Sequence, residues 1–141
     1  ELLSAARLAR LLAAPPAGAG EPRKVAEGLK TRLKELQLFR GPGSLVLVTW
    51  DDLGADLRLA TVKAGSEVSV GQAVDAAPVG LAGLLLAPND RSGVALKLFV
   101  RSPAADHTIQ LRRQEIRWDG SDLQVTVKEL GLPAGATSLD L

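Results

Sequence analysis

The chain has 141 residues, 46% of them hydrophobic and 23% charged, with no cysteine and a formal net charge of +1. This size and composition predict a single globular domain over residues 1–141 that can bury a core without disulfides or metals. The missing cysteines exclude thiolate catalysis, zinc–cysteine sites and iron–sulfur clusters. No apolar run approaches the roughly 20 residues that cross a bilayer, so we expect no transmembrane segment.

The first 41 residues predict two amphipathic helices. Glu1–Ala14 repeats leucine on one broad face, with arginines opposite, and Pro15-Pro16 ends the pattern. The second helix should run over Pro22–Leu38, because proline suits the first helical position and Gly41-Pro42-Gly43 blocks continuation.

The second predicted helix carries a basic face. Residues 1–41 contain eight basic and four acidic groups, whereas residues 42–141 contain nine and twelve. Three interpretations stay open: the cations form a solvated back face, the helix lies on the acidic β-rich body, or it binds an acidic protein, nucleic acid or anionic lipid. The residues concerned are Arg23, Lys24, Lys30, Arg32 and Lys34.

From residue 42 the pattern changes to short alternating runs separated by glycine, proline and aspartate, which predicts strands. In one of these runs Phe99 interrupts the polar face, so we expect it to be exposed. The tail Leu132–Leu141 is turn-rich, and its last leucines could begin another edge strand. We predict an α+β fold, with two N-terminal helices (1–41) followed by a mainly antiparallel β-sheet or sandwich (42–141). About seven strands are expected: Ser44–Trp50, Asp56–Lys63, Glu67–Val70, Leu81–Ala87, Gly93–Ser102, Thr108–Trp118 and Asp122–Leu130.

Asp119-Gly120 lies between two β runs and predicts a hairpin with a two-residue turn. In the resulting register Trp118 points inward and Arg117 faces Asp122. Continuing the same register would place an arginine on the apolar face. We therefore predict a β-bulge at Arg112–Gln114, which restores the alternation.

Catalytic chemistry has few candidate residues. His107 is the only histidine, and on a strand its neighbour Asp106 would point to the opposite face, away from the ring. Asp51, Asp52 and Asp56 cluster in one loop, but without the spacing of an EF-hand. Phosphate-binding loops and nucleophile motifs are missing, and no set of metal ligands is spaced to converge. We therefore predict a protein that is not an enzyme, with no cofactor and no metal site.

A second basic stripe combines Arg112, Arg113 and Arg117 of the predicted strand Thr108–Trp118 with Lys128. Basic strands can hold single-stranded nucleic acid when exposed aromatic side chains provide stacking surfaces. The chain has only two tryptophans and two phenylalanines. The alternative is a solvated sheet face that Glu115 neutralises in part.

The run Val62–Val74 resembles the V-x-x-G-x-x-V-x-x-G-x-x-V turn of barrel-sandwich proteins, which lipoyl domains, membrane-fusion adaptors and LytM-type metallopeptidases share. The stretch Gly93–Arg101 similarly resembles the late LytM strand, with Ala95 and Lys97 at the positions of that family's zinc-region histidines. The LytM resemblance implies a degenerate, metal-free binding domain. The lipoyl resemblance implies a domain without the attachment lysine in its usual setting.

These observations favour a non-enzymatic interaction or assembly module that binds another protein or itself, through the basic helix or an exposed sheet edge. The lack of cysteine, the β-rich body and the lack of methionine, which suggests a processed segment, point to a bacterial cell envelope or secretion apparatus. The alternative is an electrostatic binder of nucleic acid or anionic lipid, through residues 22–38 or the basic strand 108–118.

Overall fold

The computed structural model of the chain describes residues 2–13, 22–52, 54–73, 80–101, 103 and 105–141. In this part, two helices and nine strands form three layers: the helices, a five-stranded sheet and a four-stranded sheet. The predicted α+β fold is confirmed, with nine strands instead of about seven. No described helix is both long and apolar enough to cross a membrane.

Both helices pack on one face of the five-stranded sheet. α1 spans Leu2–Ala13 and α2 spans Pro22–Glu35, so α2 ends three residues before the predicted boundary. Leu33 of α2 is buried in the same cluster as three residues of α1. The short side chains of these residues let the two helices and the sheet approach closely. They are Ala5, Ala6 and Ala9.

The five-stranded sheet has the order β4-β5-β1-β7-β8, and the four-stranded sheet has the order β3-β2-β6-β9. A 3-10 helix, Pro88–Arg91, connects β5 to β6. β9 lies in the tail where the sequence allowed another edge strand, whereas β4 was not predicted. The strands are β1 Gly43–Trp50, β2 Leu57–Lys63, β3 Ser66–Val68, β4 Gln72–Ala73, β5 Leu81–Leu86, β6 Ala95–Val100, β7 Ile109–Trp118, β8 Leu123–Leu132 and β9 Ser138–Asp140.

β1 is buried on both faces because a layer covers each of them. Val46 and Val48 pack in the core between the two sheets. Leu45 and Leu47 pack against the helices on the opposite face. A strand enclosed in this way has a continuous apolar run instead of an alternating one.

The β7–β8 hairpin has a wider loop than predicted. Trp118 pairs with Leu123, so the loop contains the four residues 119–122. The carboxylate of Asp119 holds this loop, because its Oδ1 accepts the N–H groups of Asp122 and Ser121, each at 2.8 Å. These hydrogen bonds lower the pKa of Asp119. The predicted two-residue turn is therefore wrong, whereas the inward position of Trp118, beside the helix-side core, is confirmed.

The predicted β-bulge at Arg112–Gln114 is wrong, because the β7–β8 ladder is continuous from end to end. Ile109 and Leu111 belong to the core between the sheets, whereas Ile116 belongs to the core under the helices. Residues separated by an odd number of positions point to opposite faces of a strand. The apolar pattern shifts along β7 because the layer that covers the strand changes, and no extra residue is needed.

Phe99 lies on the outer face of the four-stranded sheet, and it is half-buried instead of fully exposed. Two cations cover its ring: the Arg58 guanidinium at 4.9 Å and the Lys97 ammonium at 5.8 Å from the ring centroid. Arg58 also pairs with Glu67 on β3. The cation–π contacts explain how an aromatic side chain occupies a polar face.

Candidate functional site

β8 is an outer strand of the five-stranded sheet, and in the described part of the chain it pairs with β7 alone. The N–H of Asp119 donates to the carbonyl of Asp122 at 3.3 Å. This bond fixes the alternation of the ladder, so even-numbered residues of β8 bond to β7 and odd-numbered residues turn their N–H and C=O groups outward. The outward residues are Leu123, Val125, Val127, Glu129 and Gly131. We call this row the β8 edge.

Three arginines converge on the carboxylate of Glu115. Arg113 Nη2 lies 3.2 Å from Glu115 Oε2, and Arg117 Nη2 lies 3.3 Å from Oε1. Arg91, the last residue of the 3-10 helix, also reaches Oε1. We call these four residues the arginine cluster.

The arginine cluster carries more positive charge than its single carboxylate can neutralise. The Glu115 side chain is 11% exposed, whereas that of Arg117 is 55% exposed. Arg113 Nε is buried without a hydrogen-bond partner among the described residues. Lys128 of β8 pairs with Arg113 in the ladder and adds a further cation on the same face. A surplus of guanidinium and ammonium groups attracts carboxylate or phosphate groups of a partner.

Arg112 does not belong to this cluster. It points to the opposite face of β7, where its Nε donates to Glu129 Oε1 at 2.7 Å. The predicted basic stripe is therefore divided, with Arg113 and Arg117 on one face and Arg112 on the other. This division follows from the alternation of a continuous strand.

The basic residues of α2 are partly engaged within the fold. Lys30 Nζ lies 3.2 Å from Asp122 Oδ1. The predicted pairing of Arg117 with Asp122 is wrong, because Arg117 lies opposite Gln124 in the ladder. Lys34 Nζ lies 5.4 Å from the centroid of the Trp118 ring. These contacts tie α2 to the β7–β8 hairpin. Of the remaining predicted contact residues, Lys24 and Arg32 are exposed on α2, and the side chain of Arg23 lies outside the described part.

His107 lies in the loop before β7, where its ring contacts two carboxylates. Nδ1 is 2.8 Å from Asp106 Oδ1, and Nε2 is 2.6 Å from Asp52 Oδ2. The expectation that Asp106 points away is wrong, because residues 106 and 107 are in a bend and not in a strand. Asp106, and then Asp52, raise the pKa of His107. With both nitrogens paired, the ring is arranged to hold a proton and to link two loops.

A cleft of about 1000 Å³ lies between β2 and β5, at the side of the two sheets away from β8. Leu57, Leu59 and Leu84 contribute apolar lining. Ala73 and Gly80 also line it.

The run that resembles barrel-sandwich proteins, Val62–Val74, forms the end of β2, the hairpin to β3 and, as far as the described residues go, the crossover to β4. Comparison of the chain with models of known protein families, with curated proteins and with solved structures gives no match.

The sequence did not indicate Arg91 as part of the site. For Glu115 it predicted only that the carboxylate neutralises part of the charge of the basic strand. Arg91 is 24 positions from Glu115 in the chain, and the 3-10 helix that carries it was not predicted. The one signal in the sequence was the acidic residue at the centre of the Arg113–Arg117 run, because i and i+2 residues share a strand face.

Proposed function

We propose that this protein is a non-enzymatic interaction module that binds an extended segment of a partner protein as an added strand on the β8 edge. In strand addition, main-chain hydrogen bonds give affinity and the flanking side chains give specificity. The odd-numbered residues of β8 turn their N–H and C=O groups away from β7, and the described part of the chain supplies no backbone partner for them.

The observation that carries this proposal is the contrast between the four outermost strands of the two sheets. Among the described residues, β4 has two residues and β3 and β9 have three each, whereas β8 has ten. Proteins protect sheet edges with short strands, prolines or bulges. β8 is long, its ladder with β7 is continuous, and it contains no proline. A long regular edge is typical of a surface that another strand completes.

Proline scanning tests the proposal. Val127→Pro removes an outward N–H but no bond to β7, so we expect the fold to persist, since edge strands tolerate proline at such positions. Val127→Thr keeps the N–H and is the matched control. Glu129→Pro, which removes the next outward N–H, replaces Val127→Pro if that variant does not fold.

The readout is hydrogen exchange with peptides selected from a random display library on the wild-type protein. We expect binding peptides to slow exchange at residues 123, 125, 127, 129 and 131, and to lose affinity for Val127→Pro but not for Val127→Thr. Peptides that bind both variants equally, or that protect other segments only, would contradict strand addition.

The arginine cluster favours a second candidate function, electrostatic binding of nucleic acid or anionic lipid through Arg113 and Arg117. Phosphate contacts release counterions, so such binding must weaken steeply with salt. Titration with single-stranded DNA and with phosphatidylserine vesicles at two salt concentrations tests it, and no binding at low salt contradicts it. Arg112→Gln, on the other face, is the control for Arg117→Gln. A place in a bacterial envelope or secretion apparatus remains a prediction from composition.

A further inference from the structure

We infer that the segment completing the β8 edge alternates acidic and apolar residues, with its carboxylates on the face of the arginine cluster. This inference rests on the proposed strand addition and adds the chemistry of the partner. It follows from the different side chains that the two faces of β8 present to a neighbouring strand.

On one face, the even-numbered residues Gln124, Thr126 and Lys128 are exposed and lie beside Arg117, Glu115 and Arg113 of β7. Adjacent strands are about 4.8 Å apart. An added strand would therefore lie about 5 Å from β8 and about 10 Å from β7. Lys128 can reach the side chains of the added strand directly. The side chain of Arg117 on β7 and a glutamate side chain on the added strand, both extended, together span the longer separation. Arg117 is the exposed member of the cluster and hence its contact residue.

On the other face, the odd-numbered residues Val125 and Val127 are half-buried, and Val125 packs against the core under the helices. An apolar residue added beside them would extend that core at the sheet edge. Cross-strand apolar pairs stabilise a sheet, whereas a charged residue there would lose solvation.

Two observations select a carboxylate-bearing partner over a second copy of the chain. The group that the three arginines already bind is a carboxylate, that of Glu115. Two copies paired antiparallel at their β8 edges in one continuous sheet would bring two positively charged clusters to the same face, about 14 Å apart across three strand spacings. Like charges so placed oppose association, whereas an acidic strand neutralises the surplus.

The test compares two fluorescein-labelled peptides of the length of β8, one of repeated Glu-Val and the other of repeated Thr-Val. Affinity is measured by anisotropy and the binding position by hydrogen exchange. We expect the Glu-Val peptide to bind at least about tenfold more tightly at low salt. We also expect this advantage to shrink as salt screens the exposed charges. Both peptides should protect the outward amides of β8.

Matched variants assign the effect to one face. Arg117→Gln with Lys128→Gln should weaken Glu-Val binding about three- to tenfold, the range for a pair of partly exposed ionic contacts. Arg112→Gln removes one positive charge from the opposite face of β7 and should change affinity less than about twofold. The Thr-Val peptide should not respond to either substitution.

The outcomes separate the two proposals. Equal affinities of the two peptides, with protection of β8, would overturn the acidic preference and leave strand addition standing. Equal losses from Arg112→Gln and from the Arg117→Gln, Lys128→Gln pair would also overturn the preference. No protection of β8 by either peptide would overturn strand addition itself. A concentration-dependent dimer that Val127→Pro converts to a monomer would make a second copy the occupant.

Discussion

The two ends of β7 are buried on opposite faces. At its start, Ile109 and Leu111 point into the core between the two sheets. At its end, Ile116 points into the core under the helices, and the other face carries the charged cluster around Glu115. One continuous strand thus serves two cores, and at its second end the face that points toward the four-stranded sheet carries the arginine cluster instead of apolar residues.

Alanine substitutions at the two buried ends of β7 should have the largest effect on the free energy of unfolding. Leu111→Ala and Ile116→Ala should each lower the free energy of unfolding by about 2–5 kcal/mol, because both side chains are buried and leave a cavity. The two positions are roughly 17 Å apart along the strand, in separate cores. Their effects should therefore add to within about 0.5 kcal/mol in urea unfolding. A strongly non-additive double variant would contradict two independent cores.

Removal of the central carboxylate comes next in size. Glu115→Gln leaves three guanidiniums around a neutral amide, and should cost about 2 kcal/mol of unfolding free energy, as for a buried group that loses its partner. Glu129→Gln is the control, because Glu129 forms an exposed ion pair with Arg112 on the other face. Its loss should cost less than about 1 kcal/mol of unfolding free energy.

Thermal unfolding in phosphate tests the same substitution in a second way. Phosphate should raise the Tm of Glu115→Gln more than that of the wild type, because an anion replaces the missing charge. An equal rise in both proteins would contradict the expectation that phosphate replaces the missing carboxylate.

The ion pair between α2 and the hairpin should have a smaller effect. Lys30 and Asp122 are both partly exposed, and pairs of this kind contribute about 0.2–1 kcal/mol. A double-mutant cycle with Lys30→Ala and Asp122→Ala measures this coupling by urea unfolding. Arg32→Ala, a change at an exposed position of the same helix, should show no coupling with Asp122→Ala. A coupling near zero would mean that the Lys30–Asp122 pair does not help to hold α2 on the hairpin.

The sequence predicted the helices, the main strands and the fold class, because amphipathic period and turn residues are local properties. It did not predict the change of buried face along β7. The shift between Leu111 and Ile116 was interpreted as a bulge, since periodicity shows which residues are buried but not which layer buries them. The sequence predicted only part of the arginine cluster for the same reason. Arg113, Glu115 and Arg117 share a strand face, whereas Arg91 arrives through a connection between the two sheets.

The smallest expected effect lies in the loop before β7, where His107 joins two connections between the sheets. Asp52 belongs to the β1–β2 connection, and His107 to the β6–β7 connection. Asp106 and Asp52 raise the pKa of His107, and His107 lowers the pKa of Asp106. A raised histidine pKa stabilises the fold fully at pH values below the pKa of the unfolded chain, about 6.5. This stabilisation disappears as the pH rises through the higher pKa of the folded state.

His107→Gln should therefore have a lower Tm than the wild type at pH 5.5 and the same Tm at pH 9. The lowered pKa of Asp106 has the opposite pH dependence. Its contribution to stability is present at pH values above the pKa of an unfolded aspartate, and it is lost as the pH falls through the lower pKa of the folded state. Asp52→Asn should reproduce part of the loss at pH 5.5, because it removes the carboxylate on the partner connection and leaves Asp106 in place. An NMR titration of the ring of His107 gives the pKa directly. A pKa at or below its ordinary value, or a Tm difference that grows with pH, would mean that the ring does not clamp the two connections at this end of β7.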